Sequence, residues 1–208
     1  MIAVFSLWNS LGRRLCMLLF VTGCSTIPNI DPSIESATST WQGHHLKTEK
    51  IVSWQIKGKL GFKSPTQGGS VSIDWLQSEE QYQISMLGPF AASRATIKGN
   101  NLRAQMQHGK EQYTDTPQAL ALQLTGLSIP VNELAWWVKG IPSPNQAAVN
   151  DLRLTSAGTA AGFEQNGWQL SFPRYQDTDQ GNLPGKIIAQ RGQQSFTIVV
   201  SIWRFPRN

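Results

Sequence analysis

Residues 52–63 read Val-Ser-Trp-Gln-Ile-Lys-Gly-Lys-Leu-Gly-Phe-Lys. Val52, Trp54, Ile56, Leu60 and Phe62 fall on one face of an extended chain, with Gln55, Lys57, Lys59 and Lys63 on the other. Successive side chains of a strand point to opposite faces, so this stretch predicts a long, half-buried strand. The alternation returns in Val71, Ile73 and Trp75, in Tyr82, Ile84 and Met86, and in Leu102, Ala104 and Met106. It returns again in Trp168, Leu170 and Phe172, then in Phe196, Ile198, Val200 and Ile202. Gly99-Asn100, His108-Gly109 and Asn166-Gly167 punctuate these runs, the last as a type I′ hairpin signal. One apolar and one polar face, strand after strand, predict a large curved antiparallel sheet whose inner face must be covered.

The middle of the chain supplies the cover. Thr116-Pro117 offers an N-cap and a proline at the first helical position, and Leu120, Leu124 and Leu127 follow at helical spacing. Pro130 opens a second helix, with Glu133 in its first turn and Lys139 in its last, both favourable to the helix dipole. Gly140 and Pro142 stop it, and its apolar stripe is Val131, Leu134 and Val138, with Trp136 and Trp137 alongside. A further helix is expected between about Ile34 and Lys50. The fold class is therefore mainly β, in the α+β sense: a curved antiparallel sheet of some nine to eleven strands under a helical lid.

The N-terminus reads as an address. Arg13 and Arg14 precede the short apolar run Leu15–Val21, which is too short to span a bilayer. The run ends at Val21-Thr22-Gly23-Cys24, a match to the bacterial lipobox, where a branched residue and two small ones precede the cysteine that is acylated. Residues 1–23 are thus expected as a lipoprotein signal peptide, with Cys24 as the lipidation site. Residues 24–40, rich in Pro, Ser and Thr, are expected as a flexible tether, and 41–208 as a single domain. Ser25 rather than Asp follows the cysteine, which by similarity to enteric lipoproteins implies the outer membrane. The whole chain has 208 residues and a formal charge of +5; cleavage leaves 185 residues and +3, since both signal arginines depart. Several acyl chains on one cysteine meet the requirement for stable anchoring.

The charge bias is too weak to indicate nucleic acid. No G-x-S-x-G elbow is present, His44 and His45 are adjacent and point apart, and His108 falls at a turn. The acidic pairs Glu79-Glu80 and Asp177/Asp179 lie in polar loops. The expectation is a protein with no catalytic residues, no metal site and no cofactor.

One hairpin breaks the pattern. Between Glu80 and Arg94 there is no charge, and the turn reads Leu87-Gly88-Pro89-Phe90-Ala91-Ala92. Gly88 and Pro89 do the turning, yet the tip carries Phe90. Phe90 either folds back onto the core or stands out as a probe that touches membrane or ligand. Burying one Phe is worth about 1.5–3 kcal/mol, enough for transient contact and too little for anchoring.

The stretch Leu124-Thr125-Gly126-Leu127-Ser128-Ile129-Pro130-Val131-Asn132-Glu133-Leu134, continuing through Trp137, Gly140, Ile141 and Pro142, resembles the L-T-G-x-x-I-P-x-N-x-L-x-x-W-x-x-G-x-P motif of the LolB family of outer-membrane lipoprotein receptors. Weaker matches are the lipobox, the Gly88-Pro89-Phe90 hairpin, Trp168 to Tyr175, and the last strand ending at Trp203. The resemblance implies an incomplete β-barrel closed by helices over an apolar cavity. It implies a chain that accepts acylated lipoproteins from a LolA-type periplasmic carrier and inserts them into the outer membrane without an energy source. It places Phe90 where the family commonly has Leu, and Ala91 where it often has Gly. On this reading the acyl chains lie against Trp54, Ile56, Ile73, Trp75, Ile84, Met86, Met106, Leu134, Trp137, Phe172, Ile198 and Val200. The partners are the carrier, the lipoprotein cargo and outer-membrane lipid, with the receptor a monomer facing the periplasm. The competing expectation is a structural envelope lipoprotein that docks a protein partner and binds no acyl chain.

Overall fold

The computed structural model describes residues 32–88, 94–144 and 148–206, all within a unit spanning Asp31–Asn208. Helix α1 (Pro32–Glu49) leads into six strands: β1 (Ser53–Lys63), β2 (Gly68–Ser78), β3 (Gln81–Leu87), β4 (Arg94–Gly99), β5 (Ala104–His108) and β6 (Glu111–Asp115). Helices α2 (Pro117–Thr125) and α3 (Val131–Trp137) follow. The chain then returns as β7 (Asn150–Leu154), β8 (Ala160–Gln165), β9 (Trp168–Thr178), β10 (Gly181–Arg191) and β11 (Gln194–Arg204). All eleven strands form one antiparallel sheet in the order β6-β5-β4-β3-β2-β1-β11-β10-β9-β8-β7. Only the β1–β11 pairing joins the chain's two halves, and no ladder joins β6 to β7 among the described residues. The result is an incomplete barrel with a helical lid.

The even-numbered residues of β1 turn inward as the alternation predicts, with Trp54 and Ile56 fully buried and Leu60 nearly so. Val52 does not join them. It precedes the strand and is 49% exposed. Leu102 is likewise a turn residue, 82% exposed, held outside by a turn in which Asn100 Oδ1 accepts from the Leu102 and Arg103 backbone N–H groups.

Ile202 is also misplaced by simple alternation, for a definite reason. In the β1–β11 ladder Lys57 opposes Ile202 while Gly58 opposes Val200, so Ser201 is an extra residue. A one-residue bulge exchanges the faces of everything beyond it. Ile202 therefore points out, and Trp203 points in, 5.6 Å edge-on to Trp54 with its indole N–H donating to Pro184 O. Gly58 is required at this point, since a Cβ there would lie 2.0 Å from the Val199 carbonyl oxygen.

The lid is set by its caps. Thr116 is the N-cap of α2 and its hydroxyl accepts from Ala119 N at 3.3 Å, with Pro117 at the helix start. Gly126, at φ 67, ends the helix in the left-handed region and returns its N–H to Leu122 O. Leu127 consequently lies past the helix rather than on its stripe, although it is fully buried. Lys139 also falls beyond its helix, two residues after the end of α3, and is 4% exposed, so it is not a dipole-facing surface lysine. Helix α1 begins at Pro32, so residues 32–40, expected in the tether, are helical.

Candidate functional site: an apolar cavity under the helical lid

Between the concave face of the sheet and α2–α3 lies an apolar cavity of ≈ 60 Å³. Strands β1 to β4 and β11 contribute Leu60, Ile73, Trp75, Ile84, Met86, Ile97 and Ile198 as its floor. The lid contributes Ala121, Leu124, Thr125, Ile129, Val131 and Leu134. Thr125 is the one hydroxyl in this lining, and it donates to Ala121 O at 2.7 Å, so its polarity is spent on the helix itself. A second hollow of ≈ 300 Å³ shares Met86, Leu124 and Thr125 with the first and continues to Phe62, Val71, Ala95, His108 and Gly88. The two hollows adjoin at these three residues, giving a mostly apolar path along the wall from beneath the lid to the end of the sheet where β3 stops.

Of the side chains expected to meet acyl chains, the structure brings Ile73, Trp75, Ile84, Met86, Leu134 and Ile198 around this cavity. Trp54, Ile56, Met106, Trp137, Phe172 and Val200 are buried in the core but do not line it. Trp54 packs at 5.0 Å on Trp75, and Phe172 at 5.5 Å on Phe163, as ordinary aromatic core contacts. Gly88 is buried at the end of β3; Cys24, Pro89 and Phe90 lie outside the described residues. The expected lining leaves out Leu60, Leu124, Thr125, Ile129 and Val131, noted from sequence in other roles, and does not single out Ile97 or Ala121. The Ala95–Ile97 alternation of β4 was the available signal for Ile97, and spacing from Pro117 for Ala121.

Two buried polar groups hold the lid to the sheet. Gln165, on β8 and 1% exposed, accepts at Oε1 from Trp137 Nε1 at 2.8 Å and from Ser143 N at 2.9 Å, and donates from Nε2 to Ser143 O at 2.8 Å. Lys139 Nζ donates to Ile51 O at 3.1 Å and sits 4.2 Å from the Trp136 ring centroid. Burial pulls its ammonium down to about 8, with Glu49 opposing the shift. At the other end of the lid the ties are lighter. Arg191, 4.6 Å over the Trp168 ring, donates to Ser128 O at 3.3 Å, and Asn132 Nδ2 donates to Asn101 O at 2.9 Å. Tyr82 is buried with no hydrogen-bond partner for its hydroxyl among the described residues, and that burial pushes it up to about 12.

Among the described residues no cluster of His, Cys, Asp or Glu is suited to a metal ion, and no helix is long and apolar enough to cross a membrane. The arrangement favours holding apolar matter.

A family model described as outer membrane lipoprotein LolB matches residues 52–203. The outer-membrane lipoprotein LolB of Cellvibrio japonicus is 30% identical over 203 residues, covering 92% of this chain and 97% of that protein. The corresponding protein of Stutzerimonas stutzeri is 29% identical, covering 91% and 92%. Among solved structures, a LolA superfamily protein from Nitrosomonas europaea superposes with a TM-score of 0.53 at 10% identity, over 81% of this chain and 94% of that one. A DUF1329 family protein from Desulfovibrio piger gives 0.55 at 6% identity, over 83% and 93%. These two likenesses concern the fold alone.

Proposed function

Because the chain belongs to the LolB family of outer-membrane lipoproteins, we propose that it is a lipoprotein receptor: it takes an acylated lipoprotein from a LolA-type carrier and passes it to the outer membrane. The observation that carries this reading is the apolar cavity between sheet and lid, with its apolar continuation to the β3–β4 end. Exposing an acyl chain to water costs about 0.8 kcal/mol per CH₂, so a carrier needs a dry wall along the whole chain. Ordinary ligand pockets hold about 300–1,000 Å³. At ≈ 60 Å³ the cavity is the resting, closed state, and cargo enters by displacing α2–α3 from the sheet. Gln165 and Lys139 fix the C-terminal end of α3, while the Arg191–Ser128 and Asn132–Asn101 bonds are the ones that yield. Met86 is a flexible, polarizable liner suited to varied chains. Transfer runs downhill in affinity, with no covalent step. Cys24 carries the anchor, and Phe90 is the apolar tip that enters the bilayer during release.

The test uses the mature chain with Cys24→Ala, incubated with a carrier–lipoprotein complex. Transfer of cargo to it, read by pull-down and mass spectrometry, is the expected result. No acyl-chain uptake would favour a structural envelope lipoprotein instead. Phe90→Glu in the same background is expected to accept cargo but fail to deliver it to liposomes; normal delivery would remove the tip's role.

A further inference from the structure

The two ends of the sheet differ in charge. Five strand connections meet at the end where the apolar path emerges: residues 64–67, 88–93, 109–110, 166–167 and 192–193. Across these connections and the strand residues bounding them, the acidic side chain is Glu111 alone, and it accepts a hydrogen bond from the Tyr113 hydroxyl. At the opposite end Glu49, Glu79, Glu80 and Asp179 mingle with Lys47, Lys50 and Arg103.

The strand order places the cations of the first end. Hairpin β3–β4 lies between hairpin β1–β2 and hairpin β5–β6. Lys63 ends β1 on one side, Arg94 opens β4 within the central hairpin, and Lys110 sits in the β5–β6 turn on the other side. All three are exposed, and Gly109 N donates to Arg94 O, which fixes the Lys110 turn beside Arg94. Lys59 adds a fourth cation: its register partners Ser72 and Leu87 lead across the outer face to Arg94 in one row. Strands stand about 4.8 Å apart, so Lys59 and Arg94 are roughly 14 Å apart across that row. None of the four has an ion pair among the described residues, whereas Lys57 on the same face is paired with Asp74 at 3.0 Å.

We propose that this end of the sheet binds the headgroups of anionic phospholipids through Lys63, Arg94, Lys110 and Lys59, setting the mouth of the apolar path against the bilayer surface. The proposal builds on the receptor reading but names a lipid partner that the reading does not require. Several cations spread over a width of many ångströms suit a surface of separate phosphates rather than one small anion. Their position around the β3–β4 connection is what relates headgroup contact to the exit of an acyl chain.

The experiment measures sedimentation of the mature chain with Cys24→Ala on vesicles of phosphatidylcholine alone and with added phosphatidylglycerol. Each cation near an anionic surface contributes about a fivefold factor, so Lys63→Ala, Arg94→Ala and Lys110→Ala together are expected to weaken binding to the anionic vesicles about a hundredfold. The loss should shrink as salt is raised. Lys50→Ala, Lys98→Ala and Arg103→Ala remove the same net charge elsewhere and are expected to retain binding. Equal loss in both triple variants, or wild-type binding by the first, would overturn the proposal. So would loss of carrier binding with vesicle binding intact, which would assign the surface to a protein. Cargo uptake from the carrier, measured on the same preparations, reports separately on the receptor reading and is expected to be unchanged in both triple variants.

Discussion

Ala121→Leu separates the energetics of the closed lid from its function. Ala121 faces the cavity from α2 and is 7% exposed, opposite a floor that includes Ile73, Ile84 and Met86. The void measures ≈ 60 Å³. At about 24 cal/mol per Å³, filling it recovers about 1.4 kcal/mol, provided the leucine fits without an off-rotamer side chain. For a domain of this size that raises Tm by roughly 3–6 °C. The same energy must be given up again when the lid lifts, so the cargo-accepting population falls about tenfold. Denaturant unfolding should show a higher midpoint with an unchanged m-value, and transfer from carrier to receptor should slow or weaken by about that factor. A stabilised variant that accepts cargo as well as wild type would refute the idea that the lid must leave the sheet. A destabilised variant would show that the void is not free to be filled; Ala121→Val then repeats the test with two added carbons instead of three.

Gln165→Leu leaves the Trp137 indole N–H and both backbone groups of Ser143 without their partners. At about 1–3 kcal/mol for each of the three stranded buried groups, a loss of roughly 3–9 kcal/mol in unfolding free energy is expected; a loss below 1 kcal/mol would mean that water replaces the amide. Lys139 gives a pH signature. Its folded value of about 8 lies below the ordinary 10.5, so between those two the unfolded chain binds more protons and stability rises with pH. Below pH 8 the burial penalty is fully present, at up to about 3 kcal/mol. The stability of wild type relative to Lys139→Met should therefore improve as pH is raised from 7 to 10, and a flat difference would show that the ammonium is solvated.

Much of the sheet was legible because period-two alternation is a direct consequence of strand geometry. Asn166-Gly167 adopts positive φ at both residues, 53° and 72°, as the hairpin signal requires. Thr116-Pro117 capped α2 as the residue types indicate. The failures have a common source in long-range pairing. Ile202 and Trp203 exchange faces because of a bulge that only the β1 partner reveals. Lys139 is buried because Ile51, far earlier in the chain, offers it a carbonyl. Strand β7 is almost wholly exposed, and its five residues offer only the short Leu152-Arg153-Leu154 alternation. The cavity was the least legible part. Its walls are chemically the same as the core around it, and what separates Ile73 from Ile56 is that the first borders a void and the second does not.

The gap between β6 and β7 bears on how capacity is set. A closed barrel has its bore fixed by strand number and shear, so admitting a larger guest means breaking ladder hydrogen bonds. Among the described residues the two halves of this sheet are joined at β1–β11 alone, and β6 and β7 are edges with no further strand partner. Its curvature can relax without disrupting any strand pair, and the helical cover can follow. On the proposed function, the interior is therefore an adjustable jaw, gauged by whatever chain lies in it.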